Sequence, residues 1–211
     1  AGTIYTRPVG SSNWLGTSIT NAKSVDGIGQ NTAVYSDASG NVGVYNNGNS
    51  IVIWSPASHS NVGIVDVASG GPTGIIAVVG DNGMIYKYTG DGTNDSWIVF
   101  SKVTNNGTSL PFRLDVHPGT GDVVFIKNKG DGSIYRISSS DPSSAVPVLV
   151  TNAPSGNAPD TARDIAVSNN DNVYANYGAT ISRYANGSWT TNPKSRNLYG
   201  LTAGVSDKGW D

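Results

Sequence analysis

One short pattern recurs around the whole chain: an apolar strand with alternating polar residues, four residues long, flanked by a Gly/Asn/Asp turn before it and an apolar strand after it. Its copies read IYTR (Ile4 to Arg7), VGVY (Val42 to Tyr45), IYKY (Ile85 to Tyr88), IYRI (Ile134 to Ile137) and ISRY (Ile181 to Tyr184). The copies start 38, 43, 49 and 47 residues apart, a mean near 42 once the 211-residue chain is wrapped on itself. Self-similarity at that period is the signature of a repeat fold, in which one supersecondary unit buries its faces only against its neighbours.

Each unit holds four short strands. The recurring pattern is the third, and an apolar fourth follows it, marked by Trp14, Trp54, Trp97 and Trp189, with Val148 in the unit that lacks Trp. First strands read VDVA at Val65, RLDVH at Arg113 and RDIAV at Arg163. Turns such as Asp81-Asn82-Gly83 and Gly130-Asp131-Gly132 carry the residues that tight hairpins require. Alternation with period 2 and no sustained 3.6-residue period predict an all-β chain with almost no helix. Four strands per unit of about 42 residues predict a β-propeller of five four-stranded blades, a single domain over residues 1–211. A sandwich of short strands would not repeat. Six blades would need extra strands in the two longest units, where 138–147 and 154–160 are Ser/Pro/Gly-rich and read as loops. The chain ends GLTAGVSDKGWD, a first strand and the start of a second, and begins with a third and a fourth. Pairing those ends in one blade would close the ring, through a tight hairpin between Trp210 and Ile4 or a shifted register.

Composition bounds the function. Charged residues make up 13% of the chain, with 13 basic and 15 acidic side chains, and no Lys/Arg cluster occurs. The electrostatic term that drives nucleic-acid binding is missing, as is a polybasic membrane patch. No apolar run approaches the roughly 18 residues of a spanning helix, so no membrane insertion is expected. The absence of Cys leaves the compartment open, and cytoplasmic and secreted locations both fit.

Catalytic signals are sparse. His59 and His117 lie in different units and outside any metal-binding motif. DVHPGTGD (115–122) reads as a strand with a Pro-Gly turn. Asp/Asn/Gly runs such as 90–95 lack the spacing of a calcium loop, and three Asn-x-Ser/Thr sequons (Asn94, Asn106, Asn186) matter only in a secreted chain. An enzyme working at the propeller axis would need inward Glu, Asp or His from several blades, and the sequence is short of His and Glu. No catalytic residue, metal or cofactor is expected.

Aromatic residues are more informative, because sugars stack their apolar C–H faces on rings while their hydroxyls bond to polar groups. Ten Tyr and five Trp are spread over the units. Candidate carbohydrate-binding residues are Tyr5, Trp14, Trp54, Trp97, Trp189 and Trp210, with Lys87, Arg136 and Arg183, which share one strand position occupied by Thr6 and Val44 in the other units. A recurring Trp can equally pack blade on blade, and a recurring Lys or Arg can lay its stem on a blade with its head in water.

The unit DIAVSNNDNVYANYGATISRYANGSW (164–189), with SDKGW (206–210) and GTIYTR (2–7), resembles the tectonin repeat of the tectonin and tachylectin-like β-propeller lectins. That resemblance implies carbohydrate binding at several similar sites between blades, multivalent recognition of surface glycans, a role in defence, and methylated sugars among the ligands. The alternatives are a propeller enzyme, lyase- or lactonase-like, and a protein-interaction scaffold. Oligomerisation is compatible with each.

Overall fold

A computed structural model describes residues 2–7, 10–29, 32–71, 74–90, 96–102, 113–127, 132–140, 147–154, 162–177 and 180–192. Four four-stranded antiparallel sheets follow one another along the chain. Blade I comprises β3 (Ala22–Gly29), β4 (Thr32–Asp37), β5 (Val42–Asn46) and β6 (Asn49–Trp54). Blade II comprises β7 (Ile64–Gly70), β8 (Ile75–Gly80), β9 (Met84–Tyr88) and β10 (Trp97–Lys102). Blade III runs through β11 (Arg113–Val116), β12 (Val123–Ile126), β13 (Ile134–Ile137) and β14 (Val148–Thr151). Blade IV runs through β15 (Ala162–Val167), β16 (Val173–Tyr177), β17 (Thr180–Ala185) and β18 (Ser188–Asn192). Ahead of them, β1 (Tyr5–Thr6) pairs with β2 (Leu15–Gly16).

Every strand pairs with its sequence neighbour, and the recurring pattern is the third strand of each blade, as the repeat predicts. Among the described residues there are four four-stranded blades and one two-stranded ladder, where five complete blades were expected. Residues 193–211, with Trp210 and the segment assigned to the fifth blade, lie outside the described residues. A single 3-10 turn, Pro56–Ser58, is the only helical element among the described residues, in line with the missing 3.6-residue period.

Hairpin chemistry accounts for the outer connections. Asn47 and Gly48 (φ 47° and 95°) join β5 to β6, and Asn186 and Gly187 (φ 50° and 80°) join β17 to β18. Two consecutive residues with positive φ make the turn whose twist matches the flanking strands, and Asn-Gly adopts it at least cost.

The core lies between blades. The second strands β8 and β12 are buried on both faces, so they read as unbroken apolar runs (IIAVV, VVFI). Alternation then divides each run between two interfaces. In β8, Val78 packs with Trp54 and Ile64 of the blade I/II core, whereas Ala77 and Val79 join Phe125 and Val123 in the blade II/III core. In β12, Val124 and Ile126 turn the other way, to Ile165 and Val173 of blade IV. A smaller cluster, Ile4, Ile19, Tyr35 and Tyr45, anchors the N-terminal segment on blade I. The first strands β3, β7, β11 and β15 contact one another in series and form the inner wall.

Candidate functional site

Five of the residues picked out by sequence sit in the blade packing. The Trp54 ring is buried, stacks on His59 at 3.7 Å and donates its indole N–H to the Val62 carbonyl. Trp97 donates its indole N–H to the Ile53 carbonyl of blade I at 2.7 Å, and Trp189 donates to the Asn152 carbonyl of blade III at 3.0 Å. Each thus latches a fourth strand onto the outer edge of the preceding blade. Lys87 lays its ammonium 5.3 Å from the Phe100 ring centroid and donates to the Ser139 carbonyl in blade III at 3.3 Å. Arg136 binds Asp122 at 2.7 Å within blade III and Asp171 of blade IV at 2.6 Å. Burial would raise the Asp122 carboxyl, but the hydrogen bonds from Ser139 and Arg136 outweigh it and hold Asp122 below the usual carboxylate value. Arg136 is held above its usual value by the same two aspartates, against the opposing effect of burial. Arg183, between Tyr174 and Thr190 in register, is half-buried and makes no ion pair among the described residues.

Tyr5 and Trp14 are different. They are 58% and 61% exposed, and the Arg7 guanidinium lies 5.2 Å over the Trp14 ring. Their arrangement follows from the β1–β2 register. Tyr5 faces Gly16 and Thr6 faces Leu15, so Arg7 falls opposite Trp14, and alternation puts Tyr5 and Arg7 on one face. The Tyr5 ring lies over Gly16, where a Cβ would make ordinary van der Waals contact with it at 3.4 Å. Ile4 points the other way, into the core with Ile19 and Tyr35. Arg7 was not singled out by sequence, although it ends the same IYTR copy that supplies Tyr5.

A second concave feature lies on the inner wall. Residues of β3, β7, β11 and β15 surround a cavity of about 740 Å³, with Asp26, Asp66, Asp115 and Asp164 among its lining. Asp26 accepts the backbone N–H of Ser69 in blade II at 2.7 Å, Asp66 that of Leu114 in blade III at 3.1 Å, and Asp115 that of Val167 in blade IV at 2.7 Å. Burial raises the carboxyls of Asp26 and Asp66, with Ser69 opposing it at the first, and Arg113 and Ser24 at the second. Asp115 is raised well above the usual carboxylate value, by burial and then by the like charges of Asp26 and Asp164, which the N–H of Val167 only partly offsets. His and Glu are scarce as expected, but Asp supplies inward acids in their place: all 15 acidic residues are Asp, and each described first strand carries one. The signal stood in VDG, VDVA, LDV and RDI.

His117 is buried, and its Nδ1 accepts the N–H groups of Gly119 and Thr120 at 3.0 Å. Its Nε2 lies 3.3 Å from Asp171 without forming a hydrogen bond, and the DVHPGTGD segment carries the turn that joins β11 to β12. Among the described residues no group of three or more His, Asp or Glu could hold a metal ion, and no helix is long and apolar enough to cross a membrane.

No sequence-family profile and no curated protein matches this chain. Solved structures do. Virginiamycin B lyase from Staphylococcus aureus superposes with TM-score 0.66 at 14% identity, covering 97% of this chain and 68% of the lyase. The fold is a β-propeller. YCF48 bound to D1 peptide is similar at TM-score 0.57 and 16% identity over 86% of this chain, and the WD40 propeller domain of Doa1 at 0.55 and 14% over 82%. This propeller chain spans 59% and 54% of those two.

Proposed function

We propose that this chain is a non-catalytic, glycan-binding propeller. The observation that carries the reading is the exposed Tyr5–Arg7–Trp14 face: two rings in water, beside a cation, on a segment that Ile4 and Ile19 anchor in the core. Exposed rings of this kind stack on the C–H faces of sugars, and methylated sugars would add apolar contact. Trp54, Trp97 and Trp189 support the same reading indirectly, since their indole N–H groups are already bonded to backbone carbonyls and they serve as the frame. A five-bladed ring belongs to this proposal, with the C-terminal GLTAGVSDKGW segment beside β1 and β2. Weak contacts gain avidity when several sites, or several copies of the chain, engage one surface.

The test is a broad glycan array probed with the labelled chain and with Trp14→Ala. Binding to a chemically related set of glycans, at least about tenfold weaker in the variant, is the expected result. A blank array, or equal binding by the variant, overturns the reading. A second reading, an enzyme working at the axis, draws on the four inward aspartates. It is the weaker of the two because three of those carboxylates already accept backbone N–H groups from the next blade.

A further inference from the structure

Arg7 is held differently from Arg136, Lys87 and Arg113; Arg183 also makes no ion pair among the described residues and Lys127 also lies over a ring, that of Tyr135 at 5.4 Å, but both are half-buried. Arg136 is held by two carboxylates, Lys87 by a carbonyl and a ring, and Arg113 donates to the Arg163 carbonyl beside the Asp66 charge. Arg7 is exposed, stacks only on Trp14, and has no carboxylate partner among the described residues. A guanidinium held over a ring keeps its fork of N–H donors in one plane, ready for the two oxygens of a carboxylate or a sulfate. Tyr5 lies two residues along the same strand face, about 7 Å away at the usual rise. That is close to the span of one sugar ring and its charged substituent. The overall charge of −2 offers polyanions no general attraction, so selection for an anion would have to arise at this face.

We propose that the Tyr5–Arg7–Trp14 face selects acidic sugars, carboxylated or sulfated, with Arg7 pairing the anion and the aromatic rings stacking the sugar. This rests on the glycan-binding reading and adds the class of ligand.

Calorimetry with three oligosaccharides of one backbone tests it: neutral, carboxylated at C6, and O-sulfated. The wild-type chain should bind at least one charged form about tenfold more tightly than the neutral form, with a preference that shrinks as salt is added. Which charged form binds distinguishes uronate from sulfate. Arg7→Gln should bring charged and neutral forms within about twofold while neutral binding persists, and Trp14→Ala should weaken all three. Arg7 is exposed, so the variant is expected to fold, and circular dichroism checks that. Neutral binding equal to or tighter than charged binding overturns the acidic-sugar assignment and leaves the glycan reading standing, as does a preference that survives in Arg7→Gln. Failure of all three to bind, together with a blank array, overturns both.

Discussion

Asp115, on the inner strand of the third blade, accepts the backbone N–H of Val167 on the inner strand of the fourth at 2.7 Å. The same relation, one blade earlier each time, joins Asp66 to Leu114 and Asp26 to Ser69. Each carboxylate supplies an acceptor to an N–H of the next blade, on the wall where successive sheets converge. Three aspartates therefore link the inner strands of four successive blades.

These clips predict an unusual pH dependence. A carboxyl raised in the folded state favours its protonated form there, so the folded chain holds the proton more tightly than the unfolded chain does. That contribution is complete below the ordinary value of 3.8 and is lost as pH rises through the raised value, which for Asp115 lies well above it. The urea midpoint should rise as pH is lowered from neutrality toward 4, and Asp115→Asn should flatten the rise. A wild-type midpoint that falls steadily over the same interval would show that the axial charges do not govern stability.

Asp122 predicts the opposite limb. Its carboxyl lies below 3.8, so the contribution is present above that value and is lost on further acidification. Asp122→Asn should weaken the chain by about 1–2 kcal/mol at neutral pH, because Arg136 loses one of its two charged partners. The cost should disappear in strong acid. Denaturant titrations at both pH values read the difference, and an equal cost at both would mean that the charge of Asp122 is immaterial.

Trp97 separates latch from ligand contact. Trp97→Phe keeps most of the ring but removes the indole N–H, leaving the Ile53 carbonyl without its donor, and should cost about 1 kcal/mol of stability. Glycan binding should be unchanged. Trp14→Phe should show the reverse, with an unaltered unfolding midpoint and weaker binding, since Trp14 is 61% exposed. Loss of glycan binding by folded Trp97→Phe would relocate the site to the blade interface.

Local rules determined a good part of this protein. Period-2 alternation placed the third strands at Val42, Ile85, Ile134 and Ile181, and the Asn47-Gly48 and Asn186-Gly187 pairs marked two hairpins, because both depend only on chain neighbours and allowed φ/ψ. Tertiary structure decided what each side chain meets. Trp14 and Trp97 hold the same place in the repeat, yet one stands in water under Arg7 and the other donates to Ile53. Arg136 and Arg183 share a strand position, and only Arg136 meets a carboxylate from the next blade among the described residues. The aspartate clips join residues 43 to 52 positions apart. Whether such partners meet depends on how one sheet packs against the next, and strand periodicity, which repeats identically in every blade, carries no record of that.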